Sequence, residues 1–280
     1  MKIVPGPASQ VLASRLAGEM GCELLLTEYK QFPDDEVYTR ILGEISGEVL
    51  IVQSTPTNTD IVYLLQLIDA CDAASRIDVL IPYFGYARQD KIFKPGEALS
   101  SRAIARAISA DNTYTINIHD ERVLDYFNTE ASNLNAAPVI RAHIKSLCLN
   151  DPIIIAPDEG AIDLVSSVAL EDFDYDVLQK KRIGPDKVEI KPKELDIASR
   201  DIVIVDDIIS TGGTIAEATK QLEREESGKI YVICVHPVFV GEAVSRLLKA
   251  GVCEVFATDT MENIISNISV AGIVADEIKR

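Results

Sequence analysis

The sequence predicts an α/β protein made of two similar, doubly wound parallel-sheet domains. Three observations carry this reading. Short apolar runs alternate with helix-like patterns along the 280 residues, the order that builds strand–helix–strand units. The runs are apolar at consecutive positions rather than at every second one, so both faces of the sheet must be covered, as in a parallel sheet between two helix layers. The segment VLIVQSTPTNTDIVYLL in the first half also resembles IVIVDDIISTGGTIAEAT in the second. Each reads as a strand, then a loop of small and hydroxyl residues, then a helix.

Strands are predicted over 49–52, 77–81, 114–118, 153–155, 202–205 and 230–235. Helices are predicted over 60–74, with Ile61, Leu64, Leu65, Ile68 and Cys71 on one face, and over 99–108, 214–224 and 242–250. Two domains of roughly 140 residues suit the length. The boundary falls near Ala136-Ala137-Pro138, because 133–138 is small and polar and proline disfavours helix before it. That gives domains 1–138 and 139–280. Residues 180–195 are charged, contain Gly184, Pro185 and Pro192, and have no period. They read as an exposed mobile loop or a hairpin flap.

Composition narrows the function. A hydrophobic share of 47% with 25% charged residues belongs to a folded globular chain. The longest apolar runs, such as Tyr231–Val235, fall far short of the ~20 residues of a membrane span. Met1–Gly6 shows neither a long apolar run nor a cleavage site, so a cytosolic protein is expected. The charge is 27 basic against 44 acidic residues, or −17. That surface repels nucleic acid and leaves any anionic substrate to local devices: backbone amides, helix N-termini, metal ions and a few placed cations. The five cysteines are widely spaced with no Cys-x-x-Cys, as for free thiols in a reducing compartment. No Gly-x-x-x-x-Gly-Lys-Ser/Thr occurs, which excludes a P-loop kinase.

The densest chemistry lies at 203–214. A buried strand ends in Asp206 and Asp207, and the loop Ser210-Thr211-Gly212-Gly213-Thr214 opens a helix. The hydroxyls, the glycines and the helix N-terminus suit a phosphate, and the two carboxylates suit sugar hydroxyls. Phe32-Pro33-Asp34-Asp35-Glu36 places an aromatic ring and carboxylates at one turn, a pattern able to stack on a base and accept amino hydrogens. Arg88, Gln89 and Asp90 follow Pro82–Ala87 at a strand end, with Arg88 suited to phosphate oxygens. His119 and Asp158 each follow an apolar strand. Lys180-Lys181-Arg182 is either a solvated charge run or a set of cations on the flap. His143 and His236 match no motif and read as structural.

Together these motifs resemble one family. The 203–214 pattern resembles the phosphoribosyl-pyrophosphate loop of the phosphoribosyltransferase fold, shared by the transferases and by the ribose-phosphate pyrophosphokinases (phosphoribosyl pyrophosphate synthases). Phe32–Glu36 resembles the synthase Phe-Pro-Asp-Gly-Glu loop, with Asp35 in place of glycine; aspartate tolerates the positive φ that turn needs. Tyr86-Ala87-Arg88-Gln89-Asp90 matches the synthase signature. The resemblance implies a phosphoribosyltransferase-type fold in both domains and the transfer of the diphosphoryl group of ATP to ribose-5-phosphate.

The same resemblance implies residue roles. Phe32, Asp34, Asp35, Glu36, Arg88, Gln89, Asp90 and His119 bind ATP, and the Phe32 loop reaches a neighbouring subunit's site. Arg182, Asp206, Asp207, Ser210, Thr211, Gly212, Gly213 and Thr214 bind ribose-5-phosphate. Lys180 and Arg182 are catalytic. Mg²⁺ is the cofactor, with His119 and Asp158 as its protein contacts. The assembly is a homodimer or a multiple of dimers. Asp158-Glu159-Gly160-Ala161 stands where many synthases have Asp-His-Gly-Gly, and Ser210 replaces a common aspartate. With the short chain, these point to a compact archaeal-type member. Two other readings are a nucleobase phosphoribosyltransferase, which leaves Phe32–Glu36, Arg88–Lys91 and His119 without a role, and a non-catalytic regulatory subunit, which has no need of Lys180, Arg182 and an intact 210–214 loop.

Overall fold

The structure is a computed structural model. It describes residues 1–184, 187–192 and 195–279, with the side chains of 180–184 and 187–191 outside the described set. The chain starts with β1 (Lys2–Pro5), α1 (Gln10–Met20) and β2 (Glu23–Leu24). An antiparallel ribbon of β3 (Leu26–Gln31) and β4 (Val37–Leu42) follows. Then come β5 (Glu48–Val52), α2 (Asn58–Ala70), β6 (Arg76–Ile81), α3 (Ser100–Ala105), β7 (Asn112–Ile116) and β8 (Glu130–Leu134). They form a six-stranded parallel sheet in the order β2-β1-β5-β6-β7-β8.

The second sheet repeats the plan. Its elements are α4 (Ala137–Ser146), β9 (Ile153–Ala156), α5 (Ile162–Ala169), β10 (Asp174–Gly184), β11 (Lys187–Pro192), β12 (Ile202–Ile209), α6 (Gly213–Arg224), β13 (Ile230–Pro237), α7 (Ala243–Lys249), β14 (Val252–Thr258) and β15 (Ser266–Ile268). The order is β11-β10-β9-β12-β13-β14-β15, parallel except for β11 against β10. Helix α8 (Ala271–Ile278) ends the described chain.

The apolar runs form the centres of these sheets. Val49–Val52, Ile153–Ala156 and Ile202–Val205 are all 0% exposed, which requires helices on both faces. Two compact units result: residues 1–135 with 259–262 and the chain from 269 onward, and residues 136–258 with 263–268. The expected single division into 1–138 and 139–280 therefore differs from the observed one at the C-terminal end. Chemistry explains the return. The Glu262 Oε1 accepts the amides of Val11 (2.6 Å) and Leu12 (2.9 Å) in the first turn of α1. Asp259 takes Arg15 at 2.6 Å and the Val270 amide at 2.8 Å, and α8 packs on α1.

Other element bounds also differ from expectation: the strands expected over 202–205 and 230–235 run on to Ile209 and Pro237. The strand expected over 114–118 runs instead over Asn112–Ile116, because Asn117 takes a positive φ of 39° and ends it. The helix expected over 60–74 spans Asn58–Ala70, and that over 99–108 spans Ser100–Ala105. The 180–195 segment is mostly ribbon: Leu178 pairs with Pro192 and Lys180 with Ile190.

Each sheet reverses its winding once. The chain passes from β1 to β2 on one side and then resumes with β5 on the other; β9, β10 and β12 do the same. In such sheets ligands bind beyond the carboxyl ends of the strands that flank the reversal.

Candidate active site

At the second unit's reversal point, β9 and β12 run side by side and deliver Asp158 and Asp206 just past their buried segments. A cavity of ≈150 Å³ opens there, lined by Pro157, Asp158, Asp206 and residues 208–215. The floor comes from β12 and the wall from the loop that enters α6. Gly212 is the N-cap with φ 68° and no side chain to cap with, and the first bond back to it runs from the Ala216 amide at 2.9 Å. The amides of Gly213, Thr214 and Ile215 thus have no carbonyl one turn back, and they sit at the positive end of a twelve-residue helix. Glycine at 212 is required twice over. The left-handed φ disfavours a side chain, and a Cβ would stand 3.2 Å from Leu247. At Gly213 a Cβ would meet only Thr211 Oγ1 at 3.8 Å, so nothing in the protein demands that glycine.

The carboxylates are crowded. Burial first, then the neighbouring charges of Asp207 and Asp158, push Asp206 up to about 8. Asp206 Oδ1 accepts the Asp207 amide at 2.9 Å, and Asp207 Oδ1 accepts the Ile208 amide at 2.7 Å. Asp158 is exposed and holds the Gly160 amide at 2.9 Å. This is a set of oxygen donors with excess negative charge, which suits a hard divalent cation. Among the described residues no three His, Cys, Asp or Glu side chains gather into a metal cage. Mg²⁺ commonly takes one or two carboxylates and completes its shell with water and phosphate oxygens.

The corresponding loop of the first unit is filled by the chain itself. Between β5 and α2, the Thr57 Oγ1 accepts the Asp60 amide at 3.2 Å, and the Asp60 carboxylate takes the Thr57 amide at 3.1 Å. This capping box occupies the helix N-terminus that the second unit leaves open. Gln53 Oε1 lies where a Cβ on Gly6 would stand 2.0 Å away, so side chains fill that reversal point too.

The first unit's candidate residues fall on its ribbon turn and strand ends. Phe32–Glu36 is the β3–β4 turn: the Phe32 amide donates to Glu36 O at 2.8 Å and Asp35 adopts φ 67°. Phe32 is 47% exposed. Asp34, Asp35 and Glu36 border a groove of ≈440 Å³ beside Asn58, Thr59 and Val62 of α2. Arg88 is exposed and, among the described residues, forms no ion pair. Gln89 Oε1 accepts the Ser100 hydroxyl at 2.7 Å. Asp90 meets Arg122 at 3.3 Å and Lys91 at 3.9 Å. His119 is exposed and follows β7 by three residues.

Sequence reading missed Asp120 and Arg122. The Arg122 guanidinium grips Asp120 and also reaches Asp90; it holds the Asp120 carboxyl far below the usual carboxylate range. The acidic–basic run Asp120-Glu121-Arg122 after His119 was the available signal. His143 stacks edge-on against Phe256, ring centroids 4.6 Å apart, and His236 is buried at the end of β13. Lys180 and Arg182 lie on β10, opposite Ile190 and Val188, and their side chains are outside the described residues.

A family model described as the N-terminal domain of ribose phosphate pyrophosphokinase matches residues 1–111, and one for the phosphoribosyl transferase domain matches 124–270. A ribose-phosphate pyrophosphokinase of Methanosarcina acetivorans is 52% identical over the whole of both chains. One from Halobacterium salinarum is 41% identical, covering 99% of this chain and 100% of its own. The crystal structure of phosphoribosylpyrophosphate synthetase from Mycobacterium smegmatis superposes with a TM-score of 0.85 over 99% of this chain and 97% of its own; at 24% identity it shows the shared fold.

Proposed function

The chain belongs to the ribose-phosphate pyrophosphokinase family, and we propose which of its residues carry each part of that family's reaction. The chain transfers the diphosphoryl group of ATP to the 1-hydroxyl of ribose-5-phosphate, giving phosphoribosyl pyrophosphate and AMP for nucleotide biosynthesis. The ribose hydroxyl attacks the β-phosphorus and AMP leaves, so alignment and charge neutralisation supply most of the catalysis.

The open N-terminus of α6 carries the assignment. Ser210, Thr211, Gly212, Gly213 and Thr214 hold the 5-phosphate through amides and hydroxyls, and Asp206 and Asp207 take the ribose hydroxyls. In the first unit, Phe32 stacks on the adenine of a neighbouring chain's ATP, with Asp34, Asp35 and Glu36 beside it. Arg88, with Gln89, Asp90 and His119, takes the nucleotide. Lys180 and Arg182 stabilise charge in the transition state, and Arg182 also meets the sugar phosphate.

When bound, Mg²⁺ would supply Lewis-acid neutralisation of the phosphate oxygens. In the first unit His119 would meet the metal that accompanies ATP, and in the second unit Asp158 would contact the metal at the sugar-phosphate site. The active assembly is a homodimer or a multiple of dimers, in the cytoplasm. Among the described residues no helix is long and apolar enough to cross a membrane.

Steady-state AMP release from ATP, ribose-5-phosphate and Mg²⁺ tests these roles. Thr211→Val should raise KM for ribose-5-phosphate roughly tenfold, the loss of one good hydrogen bond to an anion, and leave KM for ATP within about twofold. Asp207→Asn should damage both ribose affinity and turnover. An unchanged ribose-5-phosphate titration in Thr211→Val contradicts the assignment.

A further inference from the structure

The 210–214 loop is supported from outside its cavity by α7, an element to which the reaction assigns no role. Arg246, one turn from the end of α7, donates from Nη1 to the Thr211 carbonyl at 2.7 Å. Its side chain does not line the cavity. It lies in a neighbouring groove between α6 and α7, which shares Gly213 with the cavity and also holds Lys220, Lys249, Glu217 and Glu242. The next residue, Leu247, is fully buried and stands where a Cβ on Gly212 would touch it. One turn of α7 thus backs the loop at Thr211, through Arg246, and at Gly212, through Leu247.

That peptide is trans, as are all the described peptide bonds. In a trans peptide the C=O and the following N–H point in opposite directions. A guanidinium that holds the Thr211 carbonyl toward α7 therefore turns the Gly212 N–H the other way, toward the cavity that Thr211, Gly212 and Gly213 line. Without this partner the carbonyl has only solvent to hold it, and a flip of the peptide would present an oxygen to an incoming anion. Arg246 also brings a fixed positive charge close behind the loop on a chain of net charge −17. Among the described residues it forms no ion pair that would neutralise that charge.

We infer that Arg246 is a positioning residue for ribose-5-phosphate: it sets the orientation of the Thr211–Gly212 peptide so that the Gly212 amide meets the 5-phosphate. The inference rests on the reading of 210–214 as the sugar-phosphate loop.

The experiment compares Arg246→Met, Arg246→Lys and Thr211→Val with the parent, in the full chain with Mg²⁺. Two quantities are read: KM for each substrate, and the amide resonance of Gly212 as ribose-5-phosphate is added. Arg246→Met should raise KM for ribose-5-phosphate about tenfold, the scale of one charge-assisted hydrogen bond. KM for ATP should stay within about twofold. The Gly212 resonance should shift in the ligand-free variant and respond less to the sugar phosphate. Arg246→Lys, which keeps a donor and the charge, should recover part of the affinity. Equal losses toward both substrates, or a Gly212 resonance and KM like the parent's, overturn the inference. If Thr211→Val weakens ribose-5-phosphate while Arg246→Met does not, only the role of Arg246 falls. If neither variant weakens it, the sugar-phosphate assignment of the loop falls as well.

Discussion

At the scale of single residues, the most informative group is Asp206. Its carboxyl is pushed up to about 8 by burial and by the charges of Asp207 and Asp158. In the unfolded chain the same group loses its proton near pH ~4. Between those values the folded state holds a proton that the unfolded state has lost, so this site makes stability fall as pH rises from about 4 to about 8. Asp206→Asn removes the effect. Urea unfolding should show the variant more stable than the parent at pH 8, by up to roughly 5 kcal/mol at about 1.4 kcal/mol per pH unit between the two values, with the difference shrinking toward pH 4. Glu262, also raised by burial, adds the same sign in both proteins and cancels in the comparison. Equal slopes with pH would mean that Asp206 is charged without cost. The residues behind this effect were legible in the sequence, because two carboxylates ending an apolar strand stand out. The Arg122 clamp on Asp90 and Asp120 was not, since it joins residues 32 positions apart.

At the scale of elements, the two units carry the same devices put to different ends. Each carries an antiparallel ribbon before the strand that resumes on the other side of the sheet: the separate pair β3–β4 in one, and β11 paired on the edge strand β10 in the other. Each also has a strand, a loop and a helix at its reversal point, which is the repeat visible in the sequence. In the first unit Asp60 closes the helix N-terminus on Thr57; in the second Gly212 leaves it open. The consecutive apolar runs made the central strands readable. The first ribbon escaped because β3 and β4 are partly exposed along their length and show no apolar period. Helix α1 escaped because two of its four buried positions are alanines, which give a weak periodic signal. The second ribbon carries a prediction of its own. If Lys180 acts when the site is closed and dry, its loss removes charge stabilisation from the transition state more than from bound ATP. Lys180→Ala should lower kcat roughly 10²–10⁴-fold with a small change in KM for ATP, and Lys181→Ala should be mild. Should both variants stay near the parent, the 180–182 run is a solvated patch and its catalytic role is lost.

At the scale of the whole molecule, the sequence does not announce that the chain returns to its first unit after building the second. That return depends on Asp259 and Glu262 meeting α1, contacts some 250 residues apart that no local pattern encodes. The first ribbon raises the larger question. Its turn is exposed, with Phe32 at 47% and three carboxylates beside it, on a strand pair outside the six-stranded sheet. An exposed aromatic on such an arm gains stability by packing against something, and the proposed partner is the ATP of a second chain. Subunit mixing decides the matter. Phe32→Ala damages the ribbon turn that a chain lends, whereas Lys180→Ala damages the flap of the chain that receives it. If the site is shared, mixed oligomers contain one site with both defects and one with neither, so two nearly inactive variants should regain up to about half of the parent's activity in each mixed dimer. Activity should appear on co-refolding or co-expression and scale with the fraction of mixed species separated by a charge tag. If both residues serve a site within one chain, every site in the mixture carries a defect, and verified mixed oligomers will stay as inactive as either variant alone.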